Sequence, residues 1–184
     1  MEMPILKPLP LATREQGLFT RIKNWLWSPR VWELQANYRL YWLGADVPVE
    51  FLGQIWVLPK GFRTDFASSP RLFWPFGMDP QGILLIPSLF HDFGYRHGFF
   101  MAEDNPNLGA YVVWAGQDQT FFDDALMAIS KKVNGMAAPG LLAKAALAVG
   151  GWLSWKEAGK YRAEAADLLS QGHEKPYILE GDFK

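Results

Sequence analysis

The sequence predicts an α+β fold: a small antiparallel sheet over about residues 32–59, packed with a helical layer over about 85–170 that includes an antiparallel helix pair. Two observations carry the sheet. Residues 32–42, WELQANYRLYW, alternate, with Trp32, Leu34, Ala36, Tyr38, Leu40 and Trp42 on one face and Glu33, Gln35, Asn37 and Arg39 on the other. Residues 49–59, VEFLGQIWVLP, alternate again, with Val49, Phe51, Ile55 and Val57 on one face, and the turn residues GADVP lie between the two runs. One observation carries the helices: Phe122, Leu126, Ile129 and Val133 recur at helical spacing and Asn134-Gly135 ends the run. Strands come first and helices after, the order of a segregated α+β domain.

The remaining elements follow in chain order. Residues 1–31 read as a Pro-rich extended arm and a short amphipathic helix, LFTRIKNWLW, stopped at Ser28-Pro29. Residues 32–170 form one α+β domain. Within it, KGFRTDFASSPR (60–71) and PFGMDPQG (75–82) are loops, and ILLIPSLFHDFGYRHG begins a helix near Pro87. Residues 101–118 show no period. A long helix runs over about 139–170, with Gly150-Gly151 as a candidate kink. Residues 171–184 form an extended polar tail.

Composition narrows the function. The chain has 184 residues, enough for one domain with a sizeable core, and 49% of them are hydrophobic. The formal net charge is −1, so a nucleic-acid partner held by phosphate neutralisation is not expected. The absence of cysteine excludes disulfides, thiolate metal sites and cysteine nucleophiles. The start lacks a basic segment followed by an apolar one, so no secretory leader is expected. The apolar stretch 140–155 is shorter than the roughly 18–20 residues that span a bilayer, and Lys144 interrupts it, so no transmembrane segment is expected. Nine Trp suit either a small core built from large rings or an interface.

The chemistry-bearing residues cluster in LFHDFGYRHG (89–98), which holds two of the three histidines. His91 and Tyr95 are four apart and share one helix face. Asp92 points about 100° away and is free to bind a cation beside the imidazole. A second acid must come from another element to fix the His91 tautomer, and Asp123, at the edge of the apolar stripe, is the candidate. TFFD (120–123) also fits a capping box with Thr120 as the cap, so cap and partner both stand for Asp123. Asp124 points nearly away from the core. In RTDFASSPR, Asp65, Ser68, Ser69 and Arg71 suit either turn roles or a supporting polar network. His97 before Gly98 reads as a cation at a helix C-terminus, and His173 has no evident partner. GxGxxG, Walker, HExxH and GxSxG signatures are absent.

VLPKGFRTDFASSPRLFW, then HDFGYRHG, then FFDDALMAI resemble a small family of unknown function common in tailed-phage genomes and prophages. Its members read VPxGFxTDxASxPRxxW, HDxxY, and AD followed by an apolar residue. The resemblance covers roughly residues 38–135 and departs at Phe122, where the pattern has Ala. It implies a phage origin; a protein made in the bacterial host cytoplasm and associated with the virion or with lysis is expected. HDFGYR is also similar to the active-site helix of bacterial and fungal phospholipases A2. That similarity implies His91 as general base, Asp123 as the residue that orients it, Tyr95 as support, and Asp92 as a Ca²⁺ ligand. PFGMDP resembles the calcium loop of the bacterial enzymes, which makes Asp79 a second ligand. Asp65, Ser68, Arg71 and Asp124 complete the expected supporting network. Two readings stand: a Ca²⁺-dependent hydrolase of host envelope components, cleaving a lipid ester or peptidoglycan bond, and a virion structural protein of neck, tail or baseplate that uses the same residues as a buried network. An intracellular accessory factor is a third. Expected partners are other phage structural proteins, self-association through arm and tail, and the host envelope.

Overall fold

A computed structural model describes residues 3–9, 31–44, 47–64, 82–105, 109–136 and 138–172. The helix expected at 18–27 and the tail beyond residue 172 lie outside these residues.

Two small antiparallel sheets form. Strands β1 (Leu6–Pro8), β2 (Trp32–Leu34) and β5 (Arg63–Thr64) make the first, in the order β1-β2-β5. Strands β3 (Tyr38–Tyr41), β4 (Ile55–Leu58), β6 (Phe100–Glu103) and β7 (Tyr111–Val113) make the second, in the order β3-β4-β6-β7. The expected pairing of the two alternating runs is present, with Tyr38 opposite Leu58 and Tyr41 opposite Ile55. The first run nevertheless serves both sheets. It bends at Gln35-Ala36, where alternation continues in sequence but the ladder does not. The Asn37 side chain there accepts a hydrogen bond from Lys60 N at 2.7 Å. The start of the second run is not strand: Val49–Phe51 form a 3₁₀ turn that buries Phe51 and leaves Val49 exposed.

Two further elements depart from the sequence reading. Part of the Pro-rich arm pairs in register, with Leu6 opposite Leu34. The region expected to be irregular, 101–118, supplies most of β6 and all of β7. Every residue of β6 is buried, so both faces are covered and no alternation marks it.

Helix α1 (Leu85–His97) crosses α2 (Gln119–Asn134) antiparallel. The end of α2 meets the start of α1 where Asn134 Nδ2 donates to Ile83 O at 2.7 Å. Both helices stop at a left-handed glycine: Gly98 has φ 76° and Gly135 φ 67°. The crossing is close because position 94 is glycine. A Cβ there would lie 2.3 Å from Phe122 Cδ1. The expected long helix is two: α3 (Ala138–Glu157) runs through Gly150-Gly151, and the break falls at Ala158, before α4 (Gly159–Ser170). The core joins Trp42, Trp56, Leu58, Phe62, Phe90, Phe93, Phe100 and Phe122 between the sheets and α1–α2, all fully buried.

Candidate functional site

The site grows from the α1–α2 crossing. Helical spacing stacks His91 on Tyr95, their ring centroids 4.0 Å apart. The apolar stripe of α2 faces the core through Phe122, Leu126 and Ile129, and this sets Asp123 at the stripe's edge, against α1. Asp118 caps α2, accepting from Phe121 N at 3.0 Å, so Thr120 lies inside the helix and Asp123 caps nothing. Its carboxylate is left for the neighbouring helix.

There Asp123 Oδ1 accepts twice. His91 Nε2 lies 2.9 Å from it, and Tyr95 O–H donates at 2.6 Å. An ionised carboxylate only accepts, so Nε2 carries the proton of the neutral ring and Nδ1 carries the lone pair. Among the described residues, Nδ1 is buried with no hydrogen-bond partner. Asp92 Oδ1 lies 4.0 Å from it and acts on the ring as a charge. The other Asp92 oxygen accepts a short hydrogen bond from Thr64 Oγ1, at the end of β5. His91, Asp92, Tyr95, Asp123 and Thr64 are all buried.

Burial works to lower the His91 pKa, but the hydrogen bond to Asp123 and the Asp92 carboxylate beside the ring outweigh it. The imidazole therefore titrates above its ordinary value. Burial, then the bond to Asp123, push the Tyr95 phenol well above its usual range, so it remains a donor at every working pH.

His91, Asp123, Tyr95 and Asp92 thus meet. Asp65, Ser68, Arg71 and Asp79 lie outside the described residues. Asp124 does not belong to the cluster: one residue further round α2 it is exposed and pairs with Lys144 of α3. Four contributors were not singled out in the sequence. Thr64 holds Asp92. Gln119, in the first turn of α2, influences the Tyr95 hydroxyl. Trp155 of α3 packs on Tyr95 at 5.1 Å and on Phe122 at 5.7 Å. Arg162 of α4 stacks on Trp155 and donates to Tyr95 O at 2.8 Å and Trp155 O at 2.7 Å. Thr64 lies within the GFRTDFASSPR stretch; the other three sit in no local motif, and tertiary packing brings all four in. His97 is no exposed helix-end cation: it is buried between Phe62, Phe93 and Phe99, and its Nδ1 lies 3.1 Å from Phe93 O.

A Ca²⁺ ion asks for six to eight oxygen ligands. Among the described residues no three His, Cys, Asp or Glu side chains converge on a cation position. Asp92 offers one free carboxylate oxygen, which is a ligand and not a site.

The model of a family described as "Protein of unknown function (DUF1353)" matches residues 43–136. The chain belongs to that family. The match spans all of α1 and α2, and so every residue of the cluster except those on α3 and α4. In this DUF1353 chain the helices after residue 136 are additions to the matched region that pack on Tyr95 and Phe122. No curated protein and no solved structure matches the chain. Among the described residues no helix is long and apolar enough to cross a membrane.

Proposed function

We propose that the protein is a phage-encoded hydrolase, associated with the virion or with lysis, that cleaves a lipid ester of the host envelope. One observation carries the reading: among the described residues His91 Nδ1 is buried without a hydrogen-bond partner, while Nε2 lies 2.9 Å from Asp123 Oδ1. An unpaired buried polar atom costs about 1–3 kcal/mol, and here it falls on the one ring of the cluster that can move a proton. A general base needs that nitrogen open.

In this reading His91 Nδ1 takes a proton from water as the water oxygen attacks the ester carbonyl. Asp123 holds the tautomer and stabilises the imidazolium that forms. Tyr95 fixes Asp123 by donating to the oxygen that His91 shares. The proton then passes from Nδ1 to the departing alkoxide. Asp92 belongs to the proposal as a Ca²⁺ ligand, but the described residues do not complete a cation site, so no step is routed through the ion.

A second reading rests on a different observation. His91 is only 2% exposed, which suits a virion structural protein whose polar cluster fixes the packing of α1 on α2. Hydrolysis separates the two. Purified protein is assayed on phospholipid vesicles and on peptidoglycan, with Ca²⁺ and with chelator, beside His91→Ala. The hydrolase reading expects ester cleavage that falls about 10³-fold or more in the variant, the scale of losing a general base with its oriented partner. Cleavage of peptidoglycan alone would retain the base and replace the substrate. A parent inert on both, with a variant that melts far below it, supports the structural reading.

A further inference from the structure

Helix α3 turns one side to the cluster. Ala143, Leu147, Gly151 and Trp155 recur there at spacings of four, while Leu141, Leu142, Trp152 and Leu153 stand exposed on the other side. Trp155 meets the Tyr95 ring edge-on at 5.1 Å, so Tyr95 touches two rings, with His91 at 4.0 Å. Arg162 of α4 fastens this contact. Its guanidinium lies 3.5 Å from the centre of the Trp155 ring, Nη1 donates to Tyr95 O at 2.8 Å, and Nη2 donates to Trp155 O at 2.7 Å. Tyr95 O is among the last carbonyls of α1, which have no helical donor, and a cation is favoured there. Position 98 is glycine where α4 comes in: a Cβ there would lie 3.2 Å from Arg162 Cδ. Gln119, which acts on the Tyr95 hydroxyl from α2, rests against the same side of α3. A Cβ at Gly151 would lie 3.1 Å from Gln119 Nε2.

What Tyr95 does depends on one atom. Its hydroxyl donates to Asp123 Oδ1 at 2.6 Å, the oxygen that His91 Nε2 shares at 2.9 Å. Both donors draw on the same charge, so the Tyr95 bond weakens the hold of Asp123 on a protonated His91. A Tyr95 hydroxyl that leaves Asp123 returns that charge to the imidazole. The titratable groups at His91 are Asp92 and Tyr95 on its own helix and Asp123 on α2. From α4 comes Arg162, on the Tyr95 carbonyl. Arg63 of β5 is paired with Glu33, and Lys144 of α3 with Asp124.

We infer that Trp155 and Arg162 are positioning residues: docked on α1, they hold the Tyr95 hydroxyl on Asp123 and so govern how much of the Asp123 charge reaches the His91 ring. Both belong to the helices that follow the family match, which ends at residue 136. The α3–α4 pair thus sets the proton affinity of a ring that lies on another helix. The inference concerns the protonation of His91 and does not rest on the ring being a base in turnover.

The test is the NMR titration of the His91 ring in the full chain without substrate, its signal assigned by its loss in His91→Gln. Tyr95→Phe removes the competing donor and should raise the midpoint by about half a unit to one unit, the scale of one hydrogen bond. Trp155→Ala should move it in the same direction, and Arg162→Ala should do so by less. The double variant Tyr95→Phe with Trp155→Ala should shift no further than Tyr95→Phe alone, because Trp155 acts through the hydroxyl. Arg39→Ala, which unpairs Glu103 in the second sheet, should lower the melting temperature and leave the titration in place. If Trp155→Ala does not fold, Arg162→Ala carries the test, since it keeps the Trp155 ring. A midpoint that ignores Tyr95→Phe, or that ignores both Trp155→Ala and Arg162→Ala, overturns the inference. So does a double variant whose shift is the sum of the singles, or an equal shift in Arg39→Ala, which would trace the movement to lost stability. A parent that cleaves no ester sinks the hydrolase and leaves this inference standing. A parent that cleaves ester while its His91 titration ignores both substitutions does the reverse.

Discussion

The α1–α2 crossing and the outer face of α3 break the usual rule of burial in opposite directions. The crossing buries a histidine, two carboxylates and a phenol; the face exposes leucines and a tryptophan. The crossing makes its burial tolerable through the hydrogen bonds to Asp123 and Asp92, and among the described residues it leaves His91 Nδ1 buried without one. The face has no such compensation, since nothing among the described residues covers it. Each departure leaves one interaction unfilled. The first leaves a buried ring nitrogen without a partner, and the second leaves large apolar side chains exposed. Departures of that kind are where a protein meets something other than itself.

The largest effect on this comparison comes from removing the shared acceptor. Asp123→Ala strips His91 and Tyr95 of their partner at once and should cost about 3–5 kcal/mol in urea unfolding, the range for breaking a buried charged pair. Asp123→Asn keeps the shape and a carbonyl acceptor, so it should cost about 1–3 kcal/mol. Equal costs for the two would mean that charge contributes nothing to the crossing. Gly94→Ala comes next. Its new Cβ runs into the Phe122 ring, so the helices must part, at about 1–3 kcal/mol. A neutral Gly94→Ala would show that the crossing is looser than its geometry.

A smaller effect comes from pH. Because the folded His91 pKa is raised above its unfolded value, the group's contribution to stability is complete below about pH 6.5 and is lost as pH rises through the folded pKa. Melting temperature should therefore fall across that window in the wild type, and His91→Gln should flatten the slope. An unchanged slope would remove His91 as its source. The smallest effect lies on the face. Trp152→Ser should change unfolding free energy by no more than about 0.5 kcal/mol, because the ring is half exposed. A large loss there would mean that Trp152 packs within the fold and is not held out for a partner.

Local periodicity made part of this legible in the sequence. The spacing of His91 and Tyr95 and the stripe of α2 both depend on 3.6 residues per turn, and together they set Asp123 toward α1. Where packing decides, the sequence was silent. Strand β6 is covered on both faces, so Phe100, Met101 and Ala102 carry no alternation. Residues 32–42 alternate without a break, yet the ladder breaks at Gln35-Ala36, because alternation records which side is buried and not which sheet is joined. Thr64, Trp155 and Arg162 reach the cluster from separate elements; Thr64 lies in the GFRTDFASSPR motif, but nothing in that motif aims it at Asp92, and no pattern marks the other two. The Arg39–Glu103 pair, bidentate at 2.7 and 3.1 Å across the second sheet, was hidden for the same reason.

The central claim is that His91 Nδ1 accepts a proton during ester cleavage. The rate of phospholipid hydrolysis measured against pH, beside the NMR titration of the His91 ring, tests it most directly. The account predicts a rate that rises with pH in a single step, since only the neutral ring has a free lone pair. The midpoint should lie above the ordinary histidine value and coincide with the ring titration, and the activity should be absent in His91→Gln. A rate that is flat through the His91 titration, or that survives His91→Gln, would contradict it.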